Sequence, residues 1–308
     1  MLLTPGTSAL AAESTRLLYG TDFENFTVGD DQLVGFDGWE GDNIGERVHG
    51  IDQSIVTGLG KTAFLGFSPP SDHFVRVFRP VDYDPVAEGT PVVEFFALVG
   101  IQESTAGGDD YFYLTVLNSE RQALAAIRFQ AGPSGIQTWR FDGEVMHPEI
   151  GGFIPGEVAP VLAQIDFAEN RWSVQWDGVP LIDNAPFTAL STTRDLGAMA
   201  AEWQLADPAN PGNNWLLFDQ WSIEAVLPAA LVLTHAGPNP DGTYSISWSG
   251  PPGATFVVEY SPDLLSWHDD LPGAVIDSSN GGPLTFTDAT TTNEAGQRFY
   301  RIVHMTGS

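Results

Sequence analysis

The sequence predicts an all-β protein, a large antiparallel β-sandwich followed by a small one. Three observations carry that reading. Apolar residues recur at helical spacing almost nowhere, and the best helical candidate, Thr193 to Met199, is short. Strict apolar–polar alternation, the mark of a half-buried strand, is common instead. Glycine (33 residues) and proline (22) punctuate the 308-residue chain often enough to cut it into short strands.

The strands follow in order. Phe74 to Phe78, Val92 to Val99, Tyr111 to Val116, Leu124 to Phe129 and Gln137 to Phe141 come first. Val161 to Phe167, Arg171 to Trp176 and Trp215 to Ala225 complete the large unit. Asp177-Gly178, after Trp176, is a two-residue hairpin signal, because Asp-Gly tolerates the positive φ of a type I′ turn. Without crossover helices, such strands make an antiparallel sandwich. Leu227-Pro228-Ala229-Ala230 reads as a linker. Beyond it, Tyr244 to Trp248, Thr255 to Tyr260, Leu284 to Thr287 and Arg298 to His304 are strands, separated by Pro251-Pro252-Gly253 and Asn280-Gly281-Gly282. The organisation expected is a leader over 1–16, a large sandwich over 17–226 and a small one over 227–308.

Composition narrows the function. The net charge is −28, with 40 acidic against 12 basic side chains, and Lys61 is the only lysine. That field repels nucleic acid and anionic membranes and attracts divalent cations. No apolar run reaches the roughly 20 residues of a membrane helix, so neither nucleic-acid binding nor membrane insertion is expected. With no cysteine, disulfides, thiol catalysis and cysteine-based zinc sites are excluded. Ala9-Leu10-Ala11 resembles the tail of a signal peptide, although a charged start and a full apolar segment are missing. A secreted or cell-surface protein is the expectation.

Two resemblances add to this. The large unit opens Tyr19-Gly20-Thr21-Asp22-Phe23-Glu24 and closes Trp215-Leu216-Leu217-Phe218-Asp219-Gln220-Trp221-Ser222-Ile223. This bracketing resembles calcium-binding jelly-roll carbohydrate-binding modules, in which first and last strands are neighbours. Ala163 to Phe167 with Asn170 to Val174 is similar to a hairpin of the wider concanavalin A-like and laminin-G-like superfamily. The resemblance implies a jelly roll and a structural calcium held by Glu24 and Asp219; Asp22 and Asp42 are weaker additions read from the sequence. The small unit, through Val257-Val258-Glu259-Tyr260-Ser261, Ser266-Trp267 and Phe299-Tyr300-Arg301-Ile302-Val303, resembles the divergent fibronectin type III domains of bacterial surface proteins.

Enzyme templates fail one by one. Gln164-Ile165-Asp166-Phe167-Ala168-Glu169 has the spacing of the E-x-D-x-x-E strand of jelly-roll glucanases, but Gln164, an amide, stands where the nucleophile belongs. The six histidines form no zinc-binding spacing, and there is no nucleophile elbow or phosphate loop. A site assembled from distant residues stays open: Tyr111, Tyr113, Arg76 and Arg128 are side-chain types that a polysaccharide lyase uses.

What remains is binding. Sugars present C–H faces that stack on aromatic rings flanked by amides and carboxylates. The candidates are Trp39 with Asn43, and Trp203, Asn213 and Trp215 around the polar loop 207–214; core packing competes for each tryptophan. The expectation is a non-catalytic extracellular module that binds a polysaccharide or cell-surface glycan, with one structural calcium. The alternatives are a surface protein forming a layer or filament, and a glycan-active hydrolase or lyase. Self-association through an open edge of the small sandwich, with the leader as donor strand, is a further expectation.

Overall fold

A computed structural model describes residues 15–69, 73–105, 108, 110–130, 136–227, 231–250, 254–278, 282–290 and 298–305. Contacts divide the chain into two compact units that part between Val226 and Leu227. The proposed leader strand, residues 1–14, and most of the Leu227–Ala230 linker lie outside the described residues. Thr15 and Arg16, assigned above to the leader, belong to the first strand.

Twenty-two strands follow in chain order, and no helix occurs among the described residues. The large unit begins with β1 (Thr15–Thr21), β2 (Gly29–Asp30), β3 (Glu40–Asp42), β4 (His49–Asp52) and β5 (Thr62–Gly66). The long strands β6 (Phe74–Tyr83) and β7 (Val92–Gln102) come next, then β8 (Tyr111–Leu117), β9 (Ala123–Gln130), β10 (Ile136–Phe141) and β11 (Met146–Phe153). It ends with β12 (Val158–Asp166), β13 (Arg171–Trp176), β14 (Val179–Pro186), β15 (Leu196–Gln204) and β16 (Trp215–Val226). The segment read as a short helix is therefore the start of β15. Its inward residues Met199, Ala201 and Trp203 obey the strand period of two, which the run of small residues hides in the sequence.

These strands form a jelly-roll sandwich. One sheet has nine strands, ordered β14-β13-β12-β7-β16-β5-β4-β2 with β1 on β16; the other has seven, ordered β11-β10-β9-β8-β15-β6-β3. Their inner faces share one core, where Val77, Leu114 and Trp203 meet Phe95, Val161 and Phe218. The β13–β14 hairpin turns on Asp177 (φ 47°) and Gly178 (φ 73°), as Asp-Gly predicts.

The small unit contains β17 (Val232–Pro238), β18 (Tyr244–Gly250), β19 (Ala254–Ser261), β20 (Val275–Ser278), β21 (Gly282–Asp288) and β22 (Phe299–Met305). They make two three-stranded antiparallel sheets, β17-β18-β21 and β20-β19-β22, around Ile246, Trp248, Phe256, Val258 and Phe286. Among the described residues β22 pairs only with β19.

Candidate functional site

Strand β16 changes partners halfway along. Its first half, Trp215 to Phe218, pairs with β5, and its second half, Trp221 to Val226, pairs with β1. A bulge at Asp219–Gln220 lies between, with Gln220 at φ 48°. The bulge shifts the inward positions from 216 and 218 to 221, 223 and 225. The chain leaves β1 at Thr21, opposite Trp221, so Asp22 and Glu24 follow directly beside Asp219.

The three carboxylates feel one another. Asp219 is 2% exposed, and burial, helped by the charges of Asp22 and Glu24, pushes its pKa up to about 6 against the pull of the Gln220 N–H. That N–H donates to Asp219 Oδ1 at 2.7 Å. Glu24 Oε1 accepts the backbone N–H of Lys61 at 2.8 Å, and Lys61 Nζ donates to the carbonyls of Glu24 and Phe26. Gly60 (φ 84°) gives Glu24 its room, because a Cβ there would lie 1.9 Å from Glu24 Oε1. Among the described residues no three acidic or histidine side chains stand close enough together to hold a metal ion. Asp42, the fourth acidic candidate, instead lies on β3 in the other sheet. Next to the cluster is a cleft of about 450 Å³ lined by Asp22, Asn25, Phe26, Phe36 and Asp37.

Most of the aromatic candidates stand elsewhere than expected. Trp39 is 1% exposed, wedged edge-on against Trp221 with its Nε1 donating to the Tyr19 hydroxyl at 2.9 Å. The turn at Asp37 (φ 47°) and Gly38 (φ 75°) carries it inward. Trp203 is 0% exposed, in register with Val75 and Phe112, and its Nε1 donates to Asp110 at 3.1 Å. Neither ring can stack on a sugar. Asn43 is exposed in the turn after β3. Trp215 and Asn213 do stand together. Trp215 is half-buried against Phe67, 5.8 Å between ring centres, and Asn213 is tied to Ser104 and Thr105. Phe67, exposed at φ 65°, gives no sign of this role in the sequence.

A second constellation lies on the outer face of the seven-stranded sheet. Residues directly opposite one another on paired strands share a face. Register links Asp42 to Arg76, Arg76 to Glu202, Glu202 to Tyr113, Tyr113 to Arg128, Arg128 to Trp139 and Trp139 to Pro148. One row thus crosses all seven strands, about 29 Å at a strand spacing of about 4.8 Å. The row beside it carries Phe74, Gln204, Tyr111 and Gln130.

These side chains are bound to one another. Arg76 Nε donates to Glu202 Oε1 at 2.7 Å, and its NH1 lies 3.5 Å from Asp42. Glu202 is 6% exposed, and burial raises its pKa despite Arg76. Tyr113 donates to Gln204 at 2.7 Å, and burial, opposed by Arg128, raises its phenol. The Arg128 guanidinium lies 4.8 Å over the Tyr111 ring and 4.6 Å over Trp139. By contrast Gln164, on the outer face of the nine-stranded sheet, donates to Glu94, while Asp166 caps the Glu169 N–H.

No family model matches the sequence, and no curated protein matches it. Several solved structures are similar in fold. The CBM2 module of the evolved Dit of Lactobacillus casei BL23 phage J-1 aligns at 9% identity and TM-score 0.47, over 70% of this chain and 98% of its own. The endo-β-1,4-glucuronan lyase of the fungus Trichoderma reesei aligns at 10% and 0.45, over 68% and 95%. The carbohydrate recognition domain of Emp47p aligns at 9% and 0.44, over 71% and 100%. A sialidase aligns at 10% and 0.43, over 64% of this chain and 18% of its own length.

Proposed function

We propose that the large unit is a non-catalytic, extracellular glycan-binding module whose ligand lies along the outer face of the seven-stranded sheet. The row from Asp42 to Trp139 carries this reading. A monomeric soluble sheet needs only scattered polar residues on its outer face. Here the face holds partly open aromatic rings, guanidinium groups, amides and a phenol in two adjacent rows. Buried ion pairs such as Arg76–Glu202 contribute little net stability, so their cost is understood if the row serves a ligand. Tyr111 and Trp139 supply ring surface, and Gln204, Gln130 and Tyr113 supply hydrogen bonds.

Calcium belongs to the same proposal as a structural ion at Asp22, Glu24 and Asp219. What supports it is the buried carboxyl of Asp219, kept hard to ionise by burial and by the charges of Asp22 and Glu24, carboxylates being the hard oxygen ligands that calcium takes. The three do not form a ready ligand set among the described residues. Bound calcium would add to the single positive charge of Lys61, which lies on the Glu24 carbonyl. The small unit is read as fibronectin type III-like from its paired three-stranded sheets.

One observation favours a second reading. Glu202 and Tyr113 are adjacent in the row with arginines on either side, a set that acid–base chemistry on a sugar can use. Against it, Arg76 holds Glu202, and the raised phenol of Tyr113 is no base at neutral pH. A glycan array tests the proposal: the wild type is expected to bind at least one glycan, and Trp139→Ala to lose at least tenfold in affinity. No bound glycan would end it. Chain cleavage that disappears in Tyr113→Phe would replace it with the enzyme reading.

A further inference from the structure

We infer that the glycan taken by this face carries carboxylate groups, and that Arg128 is the residue that receives them. This rests on the glycan-binding reading above and names its ligand class. The starting point is how scarce cations are treated in this chain. Twelve basic side chains face 40 acidic ones. Arg16, Arg47, Arg76, Arg121, Arg298 and Arg301 each lie within ion-pair distance of a carboxylate. Lys61, Arg79, Arg140 and Arg171 donate to backbone carbonyls.

Among the described residues Arg194, which lies outside the strands, has no such partner, and neither has Arg128, which stands in the row on β9. Its guanidinium rests between the rings of Tyr111 and Trp139 and acts on the Tyr113 phenol. Its Nε is shielded from solvent and finds no acceptor, and the Trp139 Nε1 beside it is in the same condition. An N–H left unpaired in a shielded place costs about 1–3 kcal/mol. Both atoms are closed to solvent and so to a ligand; what half-buried Arg128 offers outward is the rest of its guanidinium, a group that stays charged at every working pH. A guanidinium fork is matched by the two oxygens of a carboxylate. A neutral hydroxyl satisfies a donor but leaves the charge unanswered. The overall charge of −28 works against any polyanion at long range. That repulsion is confined to about 8 Å at physiological salt, whereas the Arg128 contact is local.

The experiment compares matched polymers at about 0.15 M salt. Polygalacturonate is set against fully methyl-esterified pectin, alginate against neutral mannan, and oxidised cellulose against cello-oligosaccharides, all by affinity electrophoresis or calorimetry. The expected result is at least tenfold preference for one carboxylated polymer over its neutral partner. Arg128→Gln should abolish the preference with unchanged melting, and Arg128→Lys should keep part of it. Equal binding to both members of every pair, or preference for the neutral ones, would overturn the carboxylate inference and leave glycan binding standing. So would a preference that Arg128→Gln does not alter. Binding to none of the polymers would overturn both.

Discussion

The two constellations of the large unit solve the same problem in opposite ways. Each puts charge where water is scarce. On the seven-stranded sheet, Glu202 is met by Arg76, Asp42 by Arg76 and Arg121, and Arg128 by two aromatic rings. At the β16 bulge, Asp219 is met by Asp22 and Glu24, charges of its own sign. The first arrangement is largely complete without a partner, apart from its unpaired donors. The second is under electrostatic stress until a cation or a proton relieves it. The difference teaches that a buried carboxylate marks different needs according to its neighbours: opposite charges build a preformed surface, and like charges leave a group that a proton or a cation stabilises.

Four outcomes break or sharpen that contrast. The largest should follow Arg76→Ala, which strips Glu202 of its partner and leaves Asp42 to Arg121. Removing one member of a buried pair costs about 3–5 kcal/mol, so melting should fall by about 10 °C in a unit of this size. The loss should shrink in mildly acidic buffer, because Glu202, whose pKa is already raised, then takes up a proton. A loss that did not depend on pH would show that Glu202 is not the stranded charge.

The second outcome concerns Asp219. Its folded pKa, about 6, stands above the usual 3.8. Without calcium, its contribution to stability is therefore greatest below pH 4. It declines as pH rises toward 6, by about 3 kcal/mol in all. Asp219→Asn should remove that decline, leaving the calcium-free variant more stable than wild type at pH 7. Calcium should stabilise the wild type by about 2.7 kcal/mol at a hundredfold excess over its dissociation constant, more at pH 7 than at pH 5, and should not stabilise the variant. Melting curves with chelator and with calcium decide this, and identical curves for the wild type would remove the ion from the account.

A smaller effect is expected from Gly60→Ala. Its Cβ and the positive φ conflict with Glu24, costing about 1–2 kcal/mol and weakening the calcium response. The smallest change in stability belongs to Trp139→Ala. It should move melting by only a few degrees, because the ring is only partly buried, while glycan affinity falls at least tenfold. If stability and binding fell together, the row would be a structural seam rather than a binding surface.

The fold was legible wherever alternation is clean. Tyr111 to Val116 and Arg171 to Trp176 announce their strands, and Asp177-Gly178 announces its turn. Trp203 was misleading because the small residues before it resemble a helix, which hid the register that turns its ring inward. Trp39 stands beside acidic and amide residues and so looks like a binding platform, yet two positive-φ residues fold it into the core. The meeting of Glu24, Asp22 and Asp219 follows from pairing the first strand with the last, and the jelly-roll resemblance supplies that pairing. The row could not be read in full. Arg76, Tyr113 and Arg128 stand out as polar or aromatic members of strands, but only the register between distant strands puts them in line with Asp42, Trp139 and Glu202.

The central claim is that a glycan lies along this row. A crystal structure with the best-bound oligosaccharide tests it most directly. The account predicts sugar rings against Tyr111 and Trp139 with an acidic group on Arg128. Sugar bound instead in the Phe36 cleft or against Phe67 and Trp215, with the outer face of the seven-stranded sheet bare, would contradict it.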